Sequence, residues 1–450
     1  MAGTPQLRRG LSQRQLNMIA LGGVIGAGLF VGSGVAISST GPATFLSYAL
    51  CGLLIVLVMR MLGEMAAANP STGSFADYAG EALGGWAGFS AAWLYWYFWV
   101  IVVGFEAVAG ARVLSYWVAA PLWLLSLFLM VFMTATNLFS VGSFGEFEFW
   151  FAGIKVAAIV AFLGVGGAYV FGLWPRRRMD FSNLVAHGGF FPHGVGAVFA
   201  AIVVVIFSMV GAEVVTVAAA ESREPERAIQ RATTAVVARI GVFFVGSVFL
   251  LVTILPWDSL EPGVSPYVAA LKLMGLPGAD QVMNAVVLTA VLSCLNSGLY
   301  TASRMLFVLA DRRAAPARLV KLSGRGVPRA AILFSSAVGF LCVIMAWLSP
   351  GTVFLFLLNS SGAVILFVYL LIALSQIVLR RRTPRQLLRV KMWFFPTLSI
   401  ITVAGIASVL VLMAFDRDAR SQLWLSLLSW VVVLGIYRVA RPRIVKPVGG

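Results

Sequence analysis

The chain has 450 residues, of which 60% are hydrophobic and only 11% charged, with a mean hydropathy of +0.95. A soluble domain runs nearer about 45–50% apolar and about 25% charged, so one water-surrounded core cannot bury this much apolar surface and lipid must solvate most of it. The net charge of +16 does not point to nucleic acid, because the basic residues lie between apolar runs rather than on one soluble face.

A membrane helix needs roughly 20 predominantly apolar residues. Breaks at pairs such as Gly41 with Pro42, Asn69 with Pro70 and Trp174 with Pro175 divide the chain into spans near residues 16–38, 42–66, 84–111, 121–142, 147–173, 196–219, 233–257, 281–309, 328–349, 352–379, 393–415 and 421–440. The fold class is therefore an all-α polytopic membrane protein of about 12 transmembrane helices. The first apolar run follows Arg8, Arg9 and Arg14 and is too long for a cleavable signal, so it reads as the first span. Cys51, Cys294 and Cys342 each fall inside a predicted span and suggest neither a disulfide framework nor a metal site; no cofactor is expected. His187 and His193 read as ordinary loop residues.

With a cytoplasmic N-terminus, the inside segments collect Arg8, Arg9 and Arg14, then Arg223, Arg227 and Arg231, the cluster from Arg312 to Arg329, the run from Arg380 to Lys391, and Arg441, Arg443 and Lys446. Outside segments keep chiefly Arg176 to Arg178, Lys272, Arg417 and Arg420. This asymmetry predicts both termini in the cytoplasm and an even number of spans.

The first span is centred on Gly23-Val24-Ile25-Gly26-Ala27-Gly28-Leu29, and the sixth carries a comparable interruption, Phe207-Ser208-Met209-Val210-Gly211-Ala212-Glu213. Glycines in a membrane helix either let a neighbour pack close or let the helix unwind where a cavity satisfies the freed backbone. Interruptions at matching positions of two inverted halves point to a midplane substrate site. A half-helix starting after such a break offers N–H groups to a carboxylate, and the carbonyls ending the preceding half accept from an ammonium group, which suits a zwitterion.

Arg60, Glu106, Lys155 and Glu213 are ionisable residues within predicted spans. A charge at the bilayer centre costs about 2.5–3.5 kcal/mol on insertion scales, so each needs the interface, a partner or a function. Arg60 is expected to snorkel or to pair with Glu64 at the end of the second span. Lys155 either snorkels or places its ammonium at an internal site, standing in for a bound cation. Glu106 and Glu213 are candidate proton carriers or partners of a substrate amine, with a structural hydrogen bond as the alternative. There is no phosphate-cradling Gly-x4-Gly-Lys-Ser/Thr loop, so transport is expected to draw on a gradient or on exchange. A membrane-embedded enzyme lacks a catalytic constellation in this sequence, and a channel is normally built symmetrically around a pore; a non-transporting receptor is the remaining rival.

The stretches Gly22 to Gly34 (GGVIGAGLFVGSG), Gly63 to Tyr78, Gly145 to Lys155 (GEFEFWFAGIK), Phe207 to Pro225 and Ser293 to Leu306, in this order over the full length, resemble the amino acid transporter family of the amino acid, polyamine and organocation superfamily. The resemblance implies a 5+5 inverted-repeat core with broken helices 1 and 6, plus two C-terminal helices. On the numbering here that gives a segment 1–15, a first repeat 16–173, a second repeat 196–379, the added helices in 393–440 and a tail 441–450. It further implies proton-coupled uptake across a bacterial inner membrane. Val24, Ile25, Gly26, Ala27 and Gly28 would surround the substrate carboxylate. Phe207, Ser208, Val210 and Gly211 would line the opposite end, with Phe207 gating. Glu106 would face the substrate, and Lys155 and Glu213 would carry proton coupling. Similarity from Trp93 to Ala109 favours the branch of this family that takes 4-aminobutyrate (GABA) or a similarly small neutral amino acid over the aromatic and basic branches; proline and polyamines are further alternatives. The partners expected are thus a small amino acid, protons and the lipid bilayer.

Overall fold

The computed structural model describes residues 25–69, 74–139, 141–175, 177–211, 213, 227, 234–260, 263–323, 326–349, 352–416 and 419–440. Among them, ten helices are long and apolar enough to cross a membrane. In chain order they are Thr44–Ala68 (the second span), Gly85–Leu114 (third), Leu122–Phe139 (fourth), Glu146–Val170 (fifth), Thr234–Ile254 (seventh), Ala279–Asp311 (eighth), Arg329–Leu348 (ninth), Leu355–Arg382 (tenth), Thr397–Phe415 (eleventh) and Arg420–Val439 (twelfth). Two shorter apolar stretches, Ala27–Thr40 and Val195–Phe207, occupy the places of the expected first and sixth spans. Lipid offers no hydrogen bonds to exposed backbone, so helices that satisfy their own N–H and C=O groups are the form such segments must take.

Burial differs widely among the spans. In the third span 83% of the apolar window is buried and in the tenth 78%, against 22% in the twelfth and 28% in the eleventh. The third span packs along the eighth, ninth and tenth, held by Trp96 Nε1 donating to Ser335 Oγ at 3.0 Å. The fifth span, at 28%, is no more buried than the eleventh, and side chains such as Phe415 and Val439 on the last two spans are exposed. The short stretches of the first and sixth spans pack against each other.

Two short helices went unpredicted by the search for spans. Ser74–Leu83 is amphipathic and lies between the second and third spans, where its Asp77 pairs with Arg312 at the end of the eighth. Pro266–Leu273 follows the seventh span, with its proline in the first helical turn, where no N–H is needed. Both are too short to read as spans. The seventh span also includes a π-helical segment, Ile240–Gly246.

At the far end of the second span, Arg60 snorkels: its Nε donates to the Lys391 carbonyl at 2.9 Å and its guanidinium lies over Trp393 at 5.1 Å. Glu64 takes a different cation, Arg380 of the tenth span, and also accepts from Gln376 Nε2 at 2.8 Å. His187 lies 3.1 Å from Asp258 and His193 packs on the edge of Trp257, both in the connections outside the spans. Cys51, Cys294 and Cys342 are free and buried.

Candidate functional site

The two interrupted segments meet inside the bundle. Gly26 is extended (φ −130°, ψ −154°) and a helical turn, Ala27–Phe30, starts directly after it. Helix then stops and restarts at Val31, continuing as Gly32–Thr40. On the sixth span, Ile202–Phe207 ends and the chain passes through Ser208 to Gly211, whose φ of +107° is open to glycine and strained for other residues. Val24 lies outside the described residues.

A carboxylate sits at each break. Glu106, from the third span, accepts the Ala27 N–H at 3.1 Å through Oε1 and at 3.2 Å through Oε2, so it satisfies a donor at the start of the half-helix and meets the positive end of its dipole. Glu213 accepts the Gly211 N–H at 3.0 and 3.1 Å and is further bound by the Tyr95 hydroxyl at 2.8 Å and the Tyr369 hydroxyl at 3.1 Å. Both are buried. Glu213 thereby joins the sixth span to the third and tenth, and Glu106 joins the first to the third.

Gly26, Gly28, Glu106, Phe207, Ser208 and Val210 surround one cavity. Phe98, Trp99 and Val102 of the third span and Cys294 of the eighth complete its wall. Its volume is about 10 Å³, room for roughly one water, so the bundle is closed here and spans must part to admit anything larger. The Phe207 ring, on the cavity wall, lies edge-on to Phe105 at 4.6 Å between centroids. Ser208 Oγ turns back to the Val205 carbonyl at 2.7 Å. Ile25 and Ala27 are fully buried and outside the cavity lining, as are Gly211, Lys155 and Glu213.

Lys155 is fully buried, which removes the snorkelling alternative. Its Nζ donates to Ser293 Oγ of the eighth span at 2.8 Å. Glu148, about two turns earlier on the same helix as Lys155, is also fully buried and was not singled out from sequence.

The geometry describes a bundle with two interrupted helices and a buried polar centre, and the comparisons with known proteins agree. The amino acid permease family model matches residues 15–445. The chain belongs to the amino acid permease family. A gamma-aminobutyric acid permease of Bacillus subtilis (strain 168) is 52% identical over 442 residues, covering 97% of this chain and 94% of that protein. A probable GABA permease of Pseudomonas aeruginosa is 47% identical, covering 99% and 95%. An aromatic amino acid transport protein of Corynebacterium glutamicum is 41% identical, covering 95% and 96%. This amino acid permease is a multi-pass membrane transporter and not an enzyme.

Of the permease's cavity wall, sequence reasoning missed the contribution of the third span beyond Glu106. The signal was present: Trp99, Val102 and Glu106 are spaced 3 and 4 residues apart, which places them on one helical face.

Proposed function

We propose that this permease takes up GABA or a similarly small neutral amino acid together with protons, across a bacterial inner membrane. The observation that carries the reading is the small cavity between the two helix breaks, mostly apolar, with one carboxylate on its wall, Glu106, held on the N–H at the start of the first span's half-helix. The substrate carboxylate would take the N–H groups at Gly26 to Gly28, and the amine would face Glu106 and the backbone ending at Phe207. A carboxylate arriving there meets Glu106 already on Ala27; like charges at that distance repel, so Glu106 would turn away from the half-helix or carry a proton. The wall offers no dedicated partner for a second charged side-chain group, which disfavours basic amino acids. The 52% and 47% identity to GABA permeases, above the 41% to an aromatic amino acid carrier, supports the same choice. Purified protein in liposomes, loaded by an inward proton gradient, tests it. Unlabelled GABA should suppress labelled GABA uptake more strongly than arginine or phenylalanine at equal concentration. Stronger competition by arginine would reject the assignment.

Two inverted halves, 16–173 and 196–379, would rock around this site, the described stretches of the first and sixth spans packing together as a related pair. The basic-residue asymmetry supports a cytoplasmic location for both termini. A cysteine introduced at Arg177 should then react with an impermeant reagent added outside intact cells, and one at Arg381 should not, each judged against the parent protein, whose three cysteines are buried. The reverse pattern would invert the topology.

A further inference from the structure

A second, larger cavity of about 150 Å³ lies where the ends of the fourth, fifth and ninth spans meet the second half of the eighth, lined among others by Asn137, Phe147, Asn296, Tyr300 and Arg304. It has room for several waters at roughly 30 Å³ each, and under the topology proposed above it opens toward the cytoplasm. A line of hydrogen bonds leads from it to Lys155. Asn137 Nδ2 donates to Asn296 Oδ1 at 2.7 Å, and Asn296 Nδ2, on the cavity wall, donates to Glu148 Oε1 at 3.4 Å. On its other oxygen, Glu148 Oε2 accepts from Ser293 Oγ at 2.7 Å, and Ser293 Oγ in turn accepts from Lys155 Nζ at 2.8 Å. The groups facing Glu148 are thus Lys155 on its own helix and Ser293, Asn296 and Ser297 on the eighth span. A fully buried carboxylate is expensive to keep inside a membrane bundle, and a glutamine of the same shape would hold Asn296 or Ser293 as well if hydrogen bonding were its only task.

We propose that Glu148 relays the coupling proton between Lys155 and this second cavity, an inference that rests on the reading that transport is coupled to protons through Lys155. The Lys155 ammonium gives a proton to Ser293 Oγ while the Ser293 hydroxyl proton passes to Glu148 Oε2. Lysine is left neutral, serine is restored and Glu148 becomes a carboxylic acid. Glu148 then gives that proton to water in the cavity and returns to the carboxylate. The Asn296 amide stands between carboxylate and cavity, fixed by Asn137, and its rotation exposes Glu148 to that water. Arg304, over the Tyr300 ring at 3.2 Å, adds a fixed positive charge to the cavity wall that favours departure of the proton.

The test uses the full-length protein in liposomes with labelled GABA, reading three quantities: exchange at equal pH on both sides, accumulation under an inward proton gradient, and substrate-evoked proton flux followed by a trapped pH dye. Glu148→Gln should leave exchange unchanged while accumulation and proton flux fall at least about tenfold, and Glu148→Asp should recover part of both. Asn296→Leu, which separates Glu148 from cavity water without touching the substrate cavity, should give the same split and serves if Glu148→Gln does not fold. Wild-type accumulation in Glu148→Gln, or equal loss of exchange and accumulation in both variants, would overturn the relay. Absence of gradient-driven uptake in the unmodified protein would instead overturn proton coupling itself, and the relay with it.

Discussion

Lys155→Gln is expected to bind and exchange substrate but to lose uphill uptake, so that an inward proton gradient brings the inside concentration only to equality with the outside. The ammonium sits fully buried on the fifth span and ties it to the eighth through Ser293. Charged, it holds the two helices together; neutral, it holds them less strongly, since a charge-assisted hydrogen bond is roughly twice as strong as a neutral one. A change of protonation therefore biases how one bundle rocks on the other, which is what coupling requires. Glutamine keeps a donor for Ser293 and removes the exchangeable charge, so it separates proton carriage from mere support. Lys155→Ala should show the same loss of uphill uptake with an added loss of thermal stability, because alanine also removes the donor to Ser293 and leaves a void at a fully buried position. Thermal unfolding of the two variants in detergent measures that difference. Concentration of substrate by Lys155→Gln with the wild-type dependence on the gradient would move coupling to Glu213 or Glu106.

The sequence made the breaks legible because lipid leaves so few ways to accommodate them: glycines at the middle of a span either pack or unwind, and a second interruption five spans later argues for unwinding. Gly26, Gly28, Phe207, Ser208 and Val210 accordingly fall around one cavity. Gly28 does both things, bordering the cavity and letting the sixth span approach, so the choice between packing and unwinding was not exclusive. Long-range pairing was out of reach. Glu64 and Arg380 are 316 positions apart, and nothing in the local pattern prefers Arg380 to the nearby Arg60. Glu148 escaped for a related reason: it stands at the start of the expected fifth span, where a carboxylate normally meets water, and only the packing of the eighth span over it makes it buried. The roles of Glu106 and Glu213 were open between proton carrier and structural partner, and their bonds to Ala27 and Gly211 show that each supports its break whatever else it does.

Gly28→Ala is expected to weaken substrate binding at least about tenfold, the equivalent of about 1.4 kcal/mol, while Gly32→Ala, one turn along the same span, leaves it near wild type. A methyl group on Gly28 would stand 2.8 Å from Ser208 Cα and 2.8 Å from Phe207 Cδ1. The first of these is backbone and cannot swing aside, so the first and sixth spans must separate where their breaks form the cavity. Overpacking of this kind costs typically about 1–3 kcal/mol, and at this position the displacement acts on the N–H groups that would hold the substrate carboxylate. On Gly32 the same methyl group meets nothing closer than 3.6 Å, an ordinary contact, and alanine is the better helix former. The pair therefore holds constant the span and the chemistry of the substitution, and differs chiefly in the approach of the sixth span. Equilibrium binding of labelled GABA to the purified variants, with thermal unfolding to show that both are folded, decides the matter. Equal affinity in the two would mean that the Gly28 approach is not part of the substrate site.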